Sequence, residues 1–294
     1  MRWKKITLVG VGLLGGSLGL AIKRRRLAKQ VAGYVRRRAR LKDCEEAGAV
    51  DFATTDLLAA VWDADLVILS TPLAQMKPLV LQLLPALKRG AIVTDVGSVK
   101  GNVVRDLESL VVRAGAHFVG SHPMAGAEQT GVLAASADLF ERAMCVVTPT
   151  PRTHKPALQR VEQFWKSIGC RPLRISPAAH DALVSQSSHL PHLVAVTLAA
   201  SVLDPKRPKP VTDLCANGFR DTTRIASSSP EMWRDIALAN RQHIRVALDG
   251  FVRELQRVQA LLRKGNANEI SKLFETAKAR RDRWRLGCVS TSPE

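Results

Sequence analysis

His122 stands in "GSHPMAGAE" (120–128), at the end of an apolar run, with Pro123 directly behind it and Gly126 and Glu128 close after. A neutral imidazole is the side chain best suited to take a hydroxyl proton near pH 7, the step that accompanies hydride loss from the same carbon. Pro123 would stiffen the exit from a strand, and Gly126 would let the loop pass close to a ligand. The bland alternative is a structural histidine, the commoner role for one met alone.

Hydride loss needs an acceptor, and the start of the chain offers a place for one. In "GVGLLGGSLG" (10–19), Gly10, Gly12 and Gly15 follow the G-x-G-x-x-G order, after the strand-like "ITLVG" (6–10) and at the opening of a helical run. Gly10 permits the tight turn, Gly12 admits backbone amides to a pyrophosphate, and Gly15 lets helix and strand pack closely. Leu13 and Leu14 start that helix, while Ser70, Thr71 and Pro72 end a later strand-like run (65–71) at the same edge. Together they make the expected dinucleotide cradle.

The residue ending the second strand reports which dinucleotide. An acid there would bind the adenosine ribose hydroxyls of NAD. This chain has Val35 instead, followed by Arg36, Arg37 and Arg38. With no carboxylate to repel a 2′-phosphate and three guanidinium groups to pair with one, NADP is favoured and NAD remains possible. The alternative is that the arginines only begin a solvated helix.

Other polar residues are spaced to meet a ligand. "DVGSVKG" (95–101) puts Ser98 and Lys100 beside the crevice at the strand ends. In "SSHLPH" (187–192), Ser188 and His192 share a helical face and His189 is turned partly away. A metal held by His189 and His192 would lack further ligands, so no metal is expected. "GFRDTTRIASSSPEMWRDI" (218–236) offers Arg220, Asp221 and Arg224, then Ser229–Pro230 as a helix start. An arginine there could clamp a carboxylate bidentately, though surface arginine is the common case.

These residues need a scaffold. Strand-like runs at 6–10, 31–35, 65–71, 91–97, 117–122, 143–149 and 170–176 alternate with helical stretches at 15–29, 75–88, 101–114 and 155–168. That alternation predicts a doubly wound sheet, an α/β Rossmann-type nucleotide-binding domain over residues 1–176. From 177 to 294 the strand signal ends, and an all-α helical substrate and dimerisation domain of three long helical segments is expected, with "VLDPKRPKPV" (202–211) as an exposed connection. Ile244, Leu248, Phe251, Leu255, Val258 and Leu262 form a narrow apolar seam, either a bundle core or a subunit interface, and a homodimer is expected.

Bulk properties narrow the classes. The net charge is +18, with ten Lys or Arg and no acid between Lys23 and Lys42, but aromatics are only 4% and do not interleave with the basic run, so no nucleic-acid partner is expected. No apolar run spans a membrane and no signal peptide opens the chain, which reads as cytoplasmic and without a membrane partner. Five scattered cysteines fit neither a disulfide framework nor a zinc site.

In this order, "GVGLLGGSLG", "DVGSVKG", "GSHPMAGAE", "SHLPH" and "GFRDTTRIASSSPEMWRDI" resemble the prephenate and arogenate dehydrogenases of tyrosine biosynthesis, over essentially the whole chain. The resemblance implies oxidative decarboxylation of prephenate to 4-hydroxyphenylpyruvate, or of arogenate to tyrosine, by a nucleotide domain joined to a helical dimerisation domain. It implies that His122 is catalytic, that Ser98 contacts it, and that Arg224 binds a substrate carboxylate. Ser188, His192 and Asp221 would line the site, Glu128 would be an acid near its entrance, and Trp233 would border it. Val35 is the departure, because many members carry aspartate there. The length leaves room for neither a chorismate mutase nor a regulatory ACT domain. Two other readings share part of the pattern: a hydroxyacid dehydrogenase with the glycine motif alone, and a nucleotide-sensing or nucleic-acid-binding regulator.

Overall fold

The computed structural model describes residues 2–127 and 129–289. Strands β1 (Trp3–Val9), β2 (Ala28–Tyr34), β3 (Phe52–Thr54), β4 (Leu66–Leu69), β5 (Ile92–Asp95), β6 (His117–Pro123), β7 (Met144–Thr148) and β8 (Arg171–Arg174) form one sheet in the order 3-2-1-4-5-6-7-8. Every neighbouring pair is parallel except β6 and β7. Central strands such as β4 are buried at every residue, the pattern of a sheet covered on both faces.

Helices α1 (Leu13–Arg24), α2 (Leu41–Glu46), α3 (Leu57–Val61), α4 (Leu73–Leu83), α5 (Gly101–Arg113) and α6 (Lys155–Ser167) connect the strands. Leu18 and Ile22 of α1 join Val161 and Trp165 of α6 in one apolar cluster. Met76 and Val80 of α4 join Val104 and Leu107 of α5 in another. The sheet is thus wound on both faces, and the strand order reverses between β1 and β4, where a crevice opens at their carboxyl ends.

All seven expected strands are present. β3 was not expected: it is a three-residue edge strand without an apolar run. α1 ends earlier than its sequence pattern suggests, at Arg24, where Arg26 takes a φ of +53° and turns the chain into β2.

Beyond β8 no further strand occurs among the described residues. α7 (Pro177–Val184), a π-helical turn (Ser185–His189) and α8 (Leu190–Val202) run on without a break. α9 (Lys209–Asp213), α10 (Asn217–Thr223), a 3₁₀ turn (Arg224–Ser227), α11 (Pro230–Ala239), α12 (Arg241–Lys264) and α13 (Ala267–Val289) follow. The three long segments expected are therefore divided more finely, with the Pro- and Lys-rich connection largely exposed.

The chain forms two compact units, residues 1–244 and 245–294. The division falls well past residue 176 because α7 packs on α5 and β7, and α11 packs on α4. In the second unit the apolar seam has Leu248, Leu255 and Leu262 exposed and Phe251 and Val258 half-buried. No described helix is long and apolar enough to cross a membrane.

Candidate active site

The nucleotide cradle follows from three glycines at the end of β1. Gly10 has a φ of +97°, and a Cβ there would lie 2.8 Å from the Ser70 carbonyl oxygen. A Cβ on Gly15 would lie 2.0 Å from the Gly10 carbonyl oxygen, so only glycine lets α1 start this close to the strand. Gly12 precedes α1 without a side-chain cap and faces open space.

An open cavity of about 440 Å³ lies here, lined by Gly10, Gly12, Arg36, Arg37, Ser70, Thr71 and Pro72 of the expected set. Val35 lines it too and donates its N–H to the Thr54 carbonyl, 3.0 Å away. The hydroxyls of Ser70 and Thr71 are buried without a hydrogen-bond partner among the described residues. Unpaired buried hydroxyls, uncapped helix amides and an acid-free β2 end suit a phosphate-bearing dinucleotide. Leu13, Leu14 and Gly15 begin α1 and do not line the cavity. Neither does Arg38; Arg40, not singled out from sequence, does line it.

His122 ends β6 at the same edge of the sheet and is buried. Its Nδ1 lies 2.8 Å from His180 Nε2, and His180 Nδ1 lies 2.7 Å from Asp181 Oδ1. The carboxylate of Asp181 also accepts the backbone N–H groups of Lys100 (2.7 Å) and Gly101 (2.8 Å), capping α5. Burial pushes the Asp181 pKa up, but the hydrogen bonds from His180, Lys100 and Gly101 outweigh it and hold the pKa below the usual carboxylate range.

With one proton on each ring, an ionised Asp181 orders the protons along this chain. It accepts from His180 Nδ1–H, leaving His180 Nε2 to accept from His122 Nδ1–H. His122 Nε2 is then the proton-accepting atom. Burial, followed by the neighbouring His180, Lys100 and His189, holds the His122 pKa well below that of an ordinary imidazole, so the ring is neutral at pH 7.

Lys100 is not beside the crevice as its sequence position suggests; it is fully buried. Its ammonium pairs with Asp95 and donates to the Ser121 carbonyl at 2.8 Å. Asp95 also accepts the N–H groups of Gly97 (2.8 Å) and Ser121 (3.1 Å). This knot ties the ends of β5 and β6 together, one residue before His122. Ser98 is half-buried, and the hydrogen bond made by the His122 ring runs to His180 rather than to Ser98.

The π-helical turn sets the second cluster. Pro191 has no N–H and crowds the carbonyl four residues back, so the helix widens, and Leu190 N–H donates to the Ser185 carbonyl. The wider turn changes the expected facing: His189 is buried and not turned away. Trp233 of α11 stacks on His192 (ring centroids 3.4 Å apart) and meets His189 edge-on at 6.0 Å. Burial lowers both histidines to a pKa of about 4. Asn240 donates to the Asp181 carbonyl at 2.8 Å and lies 3.1 Å from His189 Nδ1, joining the two clusters.

Ser188 is half-buried in the π-helical turn. Asp221 is exposed on α10, and Arg224 opens the 3₁₀ turn packed on α8. Glu128 lies outside the described residues. No group of three or more metal-binding side chains occurs among the described residues. His180 and Asp181 were missed from sequence; the adjacent pair in "SPAAHDAL" was the available signal.

A family model described as prephenate dehydrogenase, nucleotide-binding domain, matches residues 18–173, and one described as prephenate dehydrogenase, dimerization domain, matches 176–276. The chain belongs to the prephenate dehydrogenase family. It is therefore an oxidoreductase with a nucleotide-binding domain followed by a helical dimerisation domain. Prephenate dehydrogenase of Bacillus subtilis is 36% identical over 94% of this chain and 75% of its own. Cyclohexadienyl dehydrogenase of Zymomonas mobilis is 34% identical over 95% of each. Among solved structures, prephenate dehydrogenase of A. aeolicus, in complex with hydroxyphenyl propionate and NAD+, superposes with a TM-score of 0.90 at 32% identity, over 96% of this chain and 99% of that one.

Proposed function

We propose that the chain oxidatively decarboxylates prephenate to 4-hydroxyphenylpyruvate, with NADP preferred over NAD. The observation that carries this reading is the hydrogen-bonded chain Asp181–His180–His122, which leaves one neutral imidazole nitrogen free to take a proton at the edge of the sheet where the nucleotide cavity opens.

Gly10, Gly12, Ser70, Thr71 and Pro72 would hold the dinucleotide, with Leu13, Leu14 and Gly15 providing the start of α1. When bound, its nicotinamide ring supplies the hydride acceptor. His122 Nε2 takes the hydroxyl proton as the C–H bond on the same carbon breaks. The ring carboxylate leaves as carbon dioxide, its bonding pair completes the aromatic ring, and His122 returns the proton to the phenolate oxygen. Aromatisation drives the step, so the protein mainly positions the substrate and supplies the base.

Arg224 is assigned to a substrate carboxylate, Ser188, His192 and Asp221 to the walls of the site, Trp233 and Glu128 to its border, and Ser98 to the space beside His122. Residues 1–176 would bind the nucleotide, and residues 177–294 would complete the substrate site and form a homodimer. NADP preference is supported by Val35 at the end of β2 and by Arg36 and Arg37 in the cavity wall.

Steady-state assays with prephenate and arogenate, each crossed with NADP and NAD, test the reading. Turnover of prephenate with higher kcat/KM for NADP is expected. Turnover of arogenate alone would replace the substrate, and turnover of neither would remove the function. Replacing His122 by Asn should lower kcat roughly 10²–10⁴-fold.

A further inference from the structure

The NADP reading leaves open which guanidinium groups take the 2′-phosphate, and the turn after β2 narrows the choice. Arg37 is extended (φ −112°, ψ 124°), and Arg38–Arg40 form a 3₁₀ turn closed by the Arg40 N–H to Arg37 carbonyl bond at 2.9 Å. In such a turn, side chains three residues apart lie one above the other, whereas the two residues between them point elsewhere. Arg37 and Arg40 line the nucleotide cavity accordingly, and Arg38 does not. Asp43 of α2, three residues further on, pairs with the Arg40 guanidinium at 3.0 Å. Glu231 is the one carboxylate among the described lining residues, set against Arg36, Arg37 and Arg40.

We propose that Arg40, acting with Arg37, is the specificity-determining clamp for the 2′-phosphate of NADP, and that Arg38 takes no part. Arg40 keeps donors for a phosphate: only one terminal nitrogen bonds Asp43, leaving the N–H groups of its second terminal nitrogen and its Nε, and with the guanidinium exposed the ion pair is weak enough to be shared. The assignment rests on the NADP reading.

Calorimetric titration of the full chain with adenosine 2′,5′-bisphosphate, and with adenosine 5′-monophosphate as the probe lacking the 2′-phosphate, separates the two. Wild type should bind the bisphosphate more tightly. Arg40→Ala and Arg40→Gln should each weaken the bisphosphate roughly tenfold or more, the size of one charge-assisted contact, while moving the monophosphate less than about twofold. Arg38→Ala should leave both probes within about twofold. Circular dichroism of each variant establishes that the fold is kept. If wild type binds the two probes equally, the NADP reading fails and the clamp with it. If wild type prefers the bisphosphate but the Arg40 variants do not weaken it, or Arg38→Ala weakens it as much, the clamp alone is overturned.

Discussion

Asp181→Asn tests both tasks of one carboxylate. In the native protein, three donors converge on its two oxygens: His180 Nδ1–H and Lys100 N–H on Oδ1, at 2.7 Å each, and Gly101 N–H on Oδ2, at 2.8 Å. An asparagine can face either way. With its oxygen on Lys100 and His180, its amide nitrogen opposes Gly101 N–H and one hydrogen bond is lost. Turned over, it opposes Lys100 N–H and forces His180 into the other tautomer, so the first orientation wins. The cost is one buried unsatisfied N–H, about 1–3 kcal/mol, and the lost attraction of a carboxylate for a helix N-terminus, about 0.3–1 kcal/mol. A thermal melt should therefore drop by roughly 5–15 °C. Because the first orientation keeps the proton on His122 Nδ1, kcat at 25 °C should fall only roughly tenfold, far short of the roughly 10⁴-fold cost of a base locked in the wrong tautomer. An unchanged melting temperature would refute the cap, and wild-type kcat would refute the link to His122.

Arg224→Ala should raise KM for the substrate roughly tenfold or more with a smaller change in kcat, the signature of one lost carboxylate contact; an unchanged KM removes Arg224 from that role. The acid limb of the kcat/KM profile should lie below pH 6.5, because the base must be neutral and the His122 pKa is depressed; a half-loss at 6.5 or above counts against His122 as the base. Stability should also decline as pH falls from about 6.5 toward 4, since unfolding frees His189 and His192 from a pKa of about 4 to take up protons. Chemical denaturation at pH 7, 5.5 and 4.5 reads that slope. Leu255→Glu puts a charge into the exposed seam of α12 and should convert a dimer to monomer in light scattering; a monomeric wild type would remove the interface.

The middle of the sheet was legible because its central strands are short runs buried on both faces, a pattern that needs no tertiary information. β3 escaped because an edge strand of three residues carries no such run. In the site, Gly10, Gly15 and His122 could be read from local rules: a backbone conformation, a close packing distance and the end of a strand. Asp181 could not, since its significance lies in pairing with Lys100 and Gly101 some eighty residues away. Lys100 misled for the same reason. A lysine after a strand reads as a ligand contact unless its buried partner Asp95 is known. Arg40 was not singled out because sequence proximity to β2 does not give the phase of a three-residue turn.

The widened turn at Ser185–His189 amounts to one surplus residue in a helix that otherwise runs from Pro177 to Val202. Removing one residue there would close the wide turn to regular winding, and because that turn is what absorbs the extra residue, the helix downstream would keep nearly its present phase. A residue added or removed elsewhere in the helix would instead rotate everything downstream by about 100° about the helix axis. The turn thus acts as slack in the winding: a lineage could gain or lose a residue at this one place and still keep His192 on the face of Trp233, with His180 and Asp181 undisturbed upstream.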